Sequence, residues 1–248
     1  MTDGAGSTRG AGTTRGLGST GGAGTGELPA RDLVDVRLAA AIGLGGCAIC
    51  AVRARSERAT LDAIIAERVL DIGFREGLER DHGFCRRHSA ELLEANREAS
   101  GILGSSMLFV AIIERRLAAL RGALAARGRA RRQRLAAATQ RPPCIACTQG
   151  ASAVDIALAR LVERSADPAW AAAMLEIPFC LDDLTALLVA AGDRASFASI
   201  AQRHLDRLEA LRQRLAGYAD HSAQDRRHLM TDEERAAADE AARLLAGD

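Results

Sequence analysis

The sequence predicts a mostly α-helical protein, and its composition and patterning carry that prediction. Of the 248 residues, 48% are hydrophobic but only 3% are aromatic. The apolar residues are mainly Ala and Leu, which favour helices over strands. Apolar positions also recur every three or four residues along most of the chain, which is the period of an amphipathic helix. We therefore expect an all-helical fold.

The amino-terminal segment differs from the rest of the chain in composition. Its first 26 residues include ten glycines, with Ser, Thr and Ala between them. Such a stretch cannot bury a core, and it lacks the apolar centre of a secretory signal. We predict that residues 1–27 form a disordered Gly-rich tail.

Several helices are predicted in the next part of the chain. A helical pattern begins near Leu28 and is interrupted by glycines at 43, 45 and 46, which place Cys47 in a loop. A Gly-punctuated stretch is predicted over 71–83. Helices are expected over residues 52–70, 89–99 and 102–120.

A connector is predicted in the middle of the chain. Residues 115–154 contain nine Arg and no Asp or Glu, and a Pro-Pro pair lies at 142 and 143. We place a domain boundary near residue 139, which gives a first module over 28–138 and a second over 139–248.

Capping signals define the helices of the second module. Asp167 and Pro168 form a good N-cap and first-turn pair. Thr231 and Glu234 have the spacing of a capping box for a last helix. The helices are expected over residues 151–163, 168–175, 181–191, 197–215 and 232–245.

All six cysteines fall into one repeated arrangement. A CxxC motif is followed 35 residues later by CxxH, and a second CxxC is followed 33 residues later by CxxD. The ligand pairs are Cys47 and Cys50, Cys85 and His88, Cys144 and Cys147, and Cys180 and Asp183. We interpret the chain as two tandem similar modules, that is, as an internal repeat.

Each module is predicted to close its own metal site. The first site would join Cys47 and Cys50 to Cys85 and His88, and three thiolates with one imidazole suit zinc. The second would join Cys144 and Cys147 to Cys180 and Asp183. With four protein ligands, no coordination position remains for substrate or an activated water. Zinc is expected in the first site as a structural ion.

The second site leaves alternatives open because Asp183 replaces the expected histidine. Three thiolates and a carboxylate add negative charge around the ion and weaken the case for zinc. The second set can hold zinc, a disulfide or free thiols.

These motifs resemble a family of uncharacterised bacterial and archaeal helical proteins that carry two CxxC and CxxH modules. The resemblance rests on three segments and on the closing segment after Tyr218. The three segments are His82-Gly-Phe-Cys-Arg-Arg-His88, Pro143-Cys-Ile-Ala-Cys147 and Phe179-Cys-Leu-Asp-Asp183. It implies a metal-binding helical fold and no established activity.

The sequence favours a non-catalytic function. It has no Walker loop, dinucleotide fingerprint, HExxH or GxSxG motif. We expect a zinc-stabilised adaptor or regulatory module that binds a protein partner in the cytoplasm, because so few cysteines do not make a secreted scaffold. A thiol redox sensor or oxidoreductase using CxxC is the first alternative.

Nucleic-acid binding is the second alternative. The net charge of +1 gives no overall attraction to polyanions, but the connector is locally basic. Its candidate contacts are Arg127, Arg129, Arg131, Arg132 and Arg134. No transmembrane helix and no membrane partner are expected, since the longest uncharged apolar stretches are too short to span a bilayer.

Overall fold

A computed structural model describes residues 28–99, 101–140 and 142–247, and all regular structure in these ranges is helical. The prediction of a disordered tail over 1–27 lies outside the described residues. The α-helices are α1 Leu33–Ile42, α2 Ala48–Ala63, α3 Ile72–Arg80, α4 Arg86–Ala99, α5 Leu103–Ala125, α6 Gly128–Thr139, α7 Ile145–Arg164, α8 Pro168–Glu176, α9 Leu181–Ala191, α10 Ser196–His221 and α11 Asp232–Ala246. The predicted helical class is confirmed.

Helices α2 and α7 form the centre of the fold and run antiparallel to each other. Ser56, near the middle of α2, donates a hydrogen bond of 3.2 Å to the carbonyl of Gln149 in the second turn of α7. The start of α2 shares one hydrophobic core with the end of α7, whereas the end of α2 shares another with the start of α7. Each metal-ligand motif at the start of one helix therefore lies beside the far end of the other.

Both hydrophobic cores draw on both predicted modules. The first core contains Ile49 from α2 with Leu161 and Trp170 from α7 and α8. The second contains Leu61 and Leu92 with Ala146 from the start of α7. Each core is thus formed by residues of both predicted modules. The boundary near residue 139 remains a prediction from sequence.

A buried ion pair anchors α1 to α7 at the edge of the first core. Asp35 is fully buried and pairs with Arg164, which is 2% exposed. Arg160 lies 3.0 Å from the same carboxylate. The Arg164 guanidinium also stacks over the buried Trp170 ring, whose indole N–H donates to the carbonyl of Pro29. Pairing of this kind offsets part of the cost of burying both charges, and removal of one partner would leave the other charge buried and unpaired.

Several predicted boundaries differ from the structure. The stretch over 71–83 contains α3, whose N-cap Asp71 accepts a hydrogen bond from the Phe74 amide. The predicted helix over 52–70 begins earlier, as α2, and ends in a π-helical turn, Ile64–Arg68. Much of the predicted connector is helical, as the end of α5, then α6 and the start of α7. Arg and Ala are strong helix formers, so the absence of Asp and Glu from this segment did not indicate a loop. The predicted caps at Asp167 and Thr231 are confirmed.

Helix α7 is, among the described helices, the one long and apolar enough to cross a membrane by length and composition. A central helix of a folded core passes the same test. In this fold its Val154, Leu158 and Leu161 side chains are buried within the first core.

Candidate metal centres

The structure gathers the eight predicted ligands into two clusters, each built from both modules. Cys85 and His88 lie with Cys144 and Cys147, and we call this cluster the histidine site. The other ligands form the aspartate site, which contains Cys47, Cys50, Cys180 and Asp183. The ligand residues were predicted, but their grouping within each module was wrong. The antiparallel packing of α2 on α7 separates each CxxC from the ligand pair that follows it in sequence.

All four ligand pairs have the same position relative to a helix. Cys47, Cys144 and Cys180 are the N-cap residues of α2, α7 and α9, and Cys85 immediately precedes α4. The second ligand follows three positions later, in the first turn and on the same face. Each site therefore receives two helix amino termini, whose positive dipole ends stabilise thiolates.

The four donor atoms of the histidine site all lie within 4.8 Å of one another. The His88 Nδ1 atom lies 3.3 Å from Cys85 Sγ, 3.2 Å from Cys144 Sγ and 3.3 Å from Cys147 Sγ. The Cys147 sulfur lies 3.6 Å from that of Cys144 and 3.9 Å from that of Cys85. The four donor atoms thus converge on one small volume.

Two carboxylates flank the outer nitrogen of His88. Its Nε2 atom is 3.3 Å from Glu57 Oε2 and 3.7 Å from Glu91 Oε2, in an orientation short of a well-formed hydrogen bond. Glu57 is buried and is held by Arg87, at 2.7 Å. The two carboxylates favour a proton on Nε2. The lone pair of Nδ1 would then be available to a metal ion, as in carboxylate–histidine–metal arrangements.

The aspartate site has similar dimensions but a different fourth ligand. The Asp183 Oδ2 atom lies 3.3 Å from Cys47 Sγ, 3.1 Å from Cys50 Sγ and 3.2 Å from Cys180 Sγ. The Cys180 sulfur is 3.9 Å from that of Cys47 and 3.7 Å from that of Cys50. One carboxylate oxygen is therefore directed at the three sulfurs.

The second oxygen of Asp183 is bound by an arginine. Arg53 Nη2 donates to Asp183 Oδ1 over 3.0 Å. Arg53 lies one turn after Cys50 on α2, so the same helix supplies two candidate ligands and the cation that orients Asp183. This salt bridge directs Oδ2 toward the sulfurs and offsets part of their negative charge.

The two sites differ in their exposure to solvent. The four ligands of the aspartate site are between 2% and 4% exposed, whereas Cys85 and Cys147 of the histidine site are half-buried. The chain after α11 lies against the aspartate site, since a Cβ atom on Gly247 would be 2.8 Å from Cys50 Sγ. Gly247 also has φ of 76°, so glycine suits this position on both counts.

The thiols of these clusters do not all ionise readily by themselves. Burial raises the pKa of Cys147 to about 12, and the neighbouring Cys144 acts in the same direction. Burial likewise raises the pKa of Cys180 to about 12, with Cys47 adding to the effect. Burial opposes ionisation of Cys144 too, but hydrogen bonds from the Cys85 and Cys147 amides and from His88 lower its pKa to about 7. A metal ion bound at either site would stabilise the thiolate forms.

Corresponding positions after the two CxxC motifs carry different residues. The residue three positions after the second cysteine is Arg53 in α2 and Gly150 in α7. The residue seven positions after it is Glu57 in α2 and Val154 in α7. A Cβ atom on Gly150 would lie 2.7 Å from Glu57 Cγ. Glycine at this position therefore makes room for the Glu57 side chain beside His88.

The sequence analysis missed these residues around the ligands. One signal was present, because Glu57 interrupts the apolar stripe of α2 between Cys50 and Leu61, both of which are buried. An acid on the buried face of a helix needs a polar partner. Arg53 carried no comparable signal, since arginine is common at exposed helix positions. Gly150 lay just before the predicted helix over 151–163, where a glycine is expected.

The arginines proposed for nucleic acid lie apart from both metal centres. Arg127 is the N-cap of α6, and the other four lie within that helix, where no residue is buried. All five are exposed. Among the described residues none of the five forms an ion pair, although Arg134 donates to the carbonyl of Gly122. They form an exposed basic helix.

Comparison of the chain with models of protein families, with curated proteins and with solved structures found no match. The two metal centres and their surroundings are therefore the basis on which function is inferred.

Proposed function

We propose that this protein is a non-catalytic, zinc-stabilised helical protein that acts as an adaptor or regulatory interaction module. The observation that carries the proposal is the closed set of four protein ligands at each centre. A catalytic zinc keeps a position open for water or substrate, whereas a structural zinc is fully ligated by the protein. The Cys3His set has the composition of a structural site, and the Cys3Asp set likewise offers four protein ligands.

The donor atoms support zinc as the metal. Zinc binds thiolate sulfur at about 2.3 Å in a tetrahedron, which corresponds to sulfur–sulfur separations of about 3.8 Å. The separations within the two sites are 3.6 to 3.9 Å. Thiolates and imidazole also favour zinc over magnesium or calcium, which prefer oxygen donors. At the aspartate site, Arg53 compensates the extra negative charge that weakened the case for zinc.

Bound zinc would join the two halves of the chain. Each ion would be held by one ligand pair from residues 28–138 and one from residues 139–248. The ion would then fix the relative position of α2 with α9, or of α4 with α7, and so stabilise the whole helical scaffold. This role requires no chemistry on a substrate.

Paired substitutions test both the metal and the grouping of its ligands. Zinc per chain is measured by elemental analysis after purification under reducing conditions, and we expect two ions. The variant Cys50→Ser/Cys180→Ser removes ligands from one site and is expected to keep one zinc. The variant Cys50→Ser/Cys85→Ser damages both sites and is expected to keep none.

In the crossed grouping, each CxxC pair shares a site with a ligand pair from the other half of the chain. This grouping would be contradicted if Cys50→Ser/Cys180→Ser removed both zinc ions and Cys50→Ser/Cys85→Ser left one. A wild-type protein without metal would overturn the proposal. Thiol–disulfide turnover by the zinc-loaded protein would favour the redox alternative, because closed structural sites do not catalyse it.

The cellular setting forms part of the same proposal. Six thiol-bearing residues that serve as metal ligands suit a reducing compartment, so we place the protein in the cytoplasm. The resemblance to helical proteins with two CxxC and CxxH modules, and the internal repeat, agree with a structural role for the metal. A protein is the proposed partner.

Nucleic-acid binding is a second candidate function, favoured by the basic surface of α6. Its five arginines lack ion pairs among the described residues, so their charge is available to phosphates. Gel shifts with RNA and DNA at two salt concentrations test this function. Binding that weakens with salt and is lost on replacing Arg129, Arg131 and Arg132 with Gln would support it, whereas absent binding would remove it.

A further inference from the structure

Helix α5 exposes a row of large apolar side chains along one face. Their exposed fractions range from 42% to 73%. The row consists of Leu103, Val110, Ile113, Leu117, Leu120 and Leu124. The intervals between them are seven, three, four, three and four residues, which is the spacing of a and d positions in a coiled coil. The row therefore has the period of a helix that packs along another helix.

The fold itself does not cover this row. The buried residues of α5 are Ser105, Leu108 and Ala123, which lie at other heptad positions. Helix α6 packs alongside α5, where Arg116 donates to the carbonyl of Ala138. Glu114 and Arg121 flank the row on one side, are exposed, and form no ion pair among the described residues.

We propose that α5 pairs with α5 of a second copy of this chain in an antiparallel coiled coil. Leu117 of one copy would pack on Leu120 of the other, and Ile113 on Leu124. In this register Glu114 lies beside Arg121 of the second copy, and the two-fold axis generates the pair twice. Glu114 and Arg121, which form no ion pair among the described residues of one chain, thereby pair with opposite charges of the second copy.

Charge selects this register over the alternatives. A parallel pair would bring Arg116 close to Arg121 of the second copy, since g and e′ positions meet there. An antiparallel pair shifted by one heptad would bring Glu114 against its own counterpart and Arg116 against its own. Like charges at such positions destabilise the pair. The proposed register alone of these three places opposite charges together.

This inference goes beyond the proposed function and does not depend on metal. The overlap from Ile113 to Leu124 extends for about 18 Å along each helix. That length comprises four apolar layers in the proposed register, with α6 beside each α5. The surface would therefore be an interface between identical chains.

Sedimentation equilibrium of the zinc-loaded full chain tests the inference. We expect a dimer for the wild-type protein. Leu117→Arg places two charges in the central layers and should raise the dimer dissociation constant at least about 100-fold. Leu205→Arg is the matched control, because Leu205 is 58% exposed on α10, outside the row, and should leave the dimer unchanged. Helix content and zinc per chain verify that both variants fold.

Charge reversal tests the orientation. Arg121→Glu should weaken the antiparallel dimer about tenfold, and Glu114→Arg combined with it should restore the dimer. A monomeric wild-type protein, or a dimer that survives Leu117→Arg, would overturn the proposal. A dimer strengthened by Arg121→Glu would overturn the antiparallel arrangement, because a parallel pair would gain a contact between Arg116 and Glu at position 121.

Discussion

The histidine and aspartate sites share one backbone arrangement and differ in the charge of a single ligand. In both, a CxxC pair at the start of a central helix meets a second pair at the start of a shorter helix. His88 is neutral as a ligand, whereas Asp183 is anionic. The groups behind them differ accordingly, with Glu57 behind His88 and Arg53 behind Asp183.

The comparison shows that the surroundings are adapted to the ligand's charge. Beside the imidazole, the Glu57 carboxylate lies 3.3 Å from the outer nitrogen, where its charge favours a proton on Nε2 and increases the basicity of the nitrogen that faces the cysteines. Behind a carboxylate, an arginine neutralises charge that three thiolates would otherwise repel. The exchange of histidine for aspartate is therefore accompanied by an exchange of acid for base in the protein around it.

Loss of a ligand should have the largest effect, and similar effects at both sites would support equal structural roles. We expect Cys85→Ser and Cys180→Ser each to lower the free energy of unfolding by about 3–5 kcal/mol, because a bound ion would join both halves of the chain. Denaturant unfolding with zinc present measures the effect. Ser89→Ala, beside the histidine site but outside its ligand set, is the control.

Exchanging the fourth ligands should lower zinc affinity by different amounts at the two sites. His88→Asp places a carboxylate beside the buried Glu57, so its zinc affinity should fall more than 100-fold. Adding Glu57→Gln removes the repulsion and should recover part of the loss. Asp183→His should cost less, since the histidine is neutral and Arg53 can turn to solvent. Chelator competition measures both affinities, and equal losses in the two single variants would contradict charge matching.

Removing the arginine alone should have an intermediate effect. Arg53→Gln leaves Asp183 Oδ1 with a weaker partner, and we expect zinc affinity at the aspartate site to fall about 10- to 100-fold while the histidine site is unchanged. Arg55→Gln, an exposed position two residues later, serves as the matched variant. Equal behaviour of the two variants would exclude Arg53 from a role at the site.

Gly150 should tolerate a methyl group poorly. The added Cβ of Gly150→Ala would displace Glu57, and we expect a loss of about 1–3 kcal/mol in unfolding free energy. The same change at Gly122 of α5 meets no atom within 4 Å and should stabilise the helix by roughly 0.5–1 kcal/mol. Thermal unfolding of both variants provides the comparison.

The buried histidine outside the metal sites should give the smallest effect, through pH. Burial and the nearby Arg207 lower the pKa of His204 below its usual 6.5. The unfolded chain therefore binds a proton more readily, and this residue's contribution to stability is present above pH 6.5 and is lost as pH falls below it. His204→Gln should flatten the decline between pH 7 and 5.5 in denaturant unfolding. The exposed His228→Gln should not.

Local features of the fold were predictable from the sequence, whereas the pairing of distant segments was not. Helical class, the caps at Asp167 and Thr231 and all eight ligand residues follow from periodicity and from short motifs. The partner of each CxxC depends on how α2 packs against α7, and that choice involves contacts about 90 residues apart in sequence. Nothing in a ligand motif specifies which distant motif completes it.

The crossed pairing also imposes an order on biosynthesis. When Cys85 and His88 have been made, their partners Cys144 and Cys147 are still nearly 60 residues away. At roughly 5–20 residues per second, the ribosome needs about 3–12 s to supply them. The histidine site can close only after residue 147, the aspartate site only after residue 183, and Gly247 reaches Cys50 last. During synthesis the first half therefore carries three thiols, those of Cys47, Cys50 and Cys85, whose partners have not yet been made.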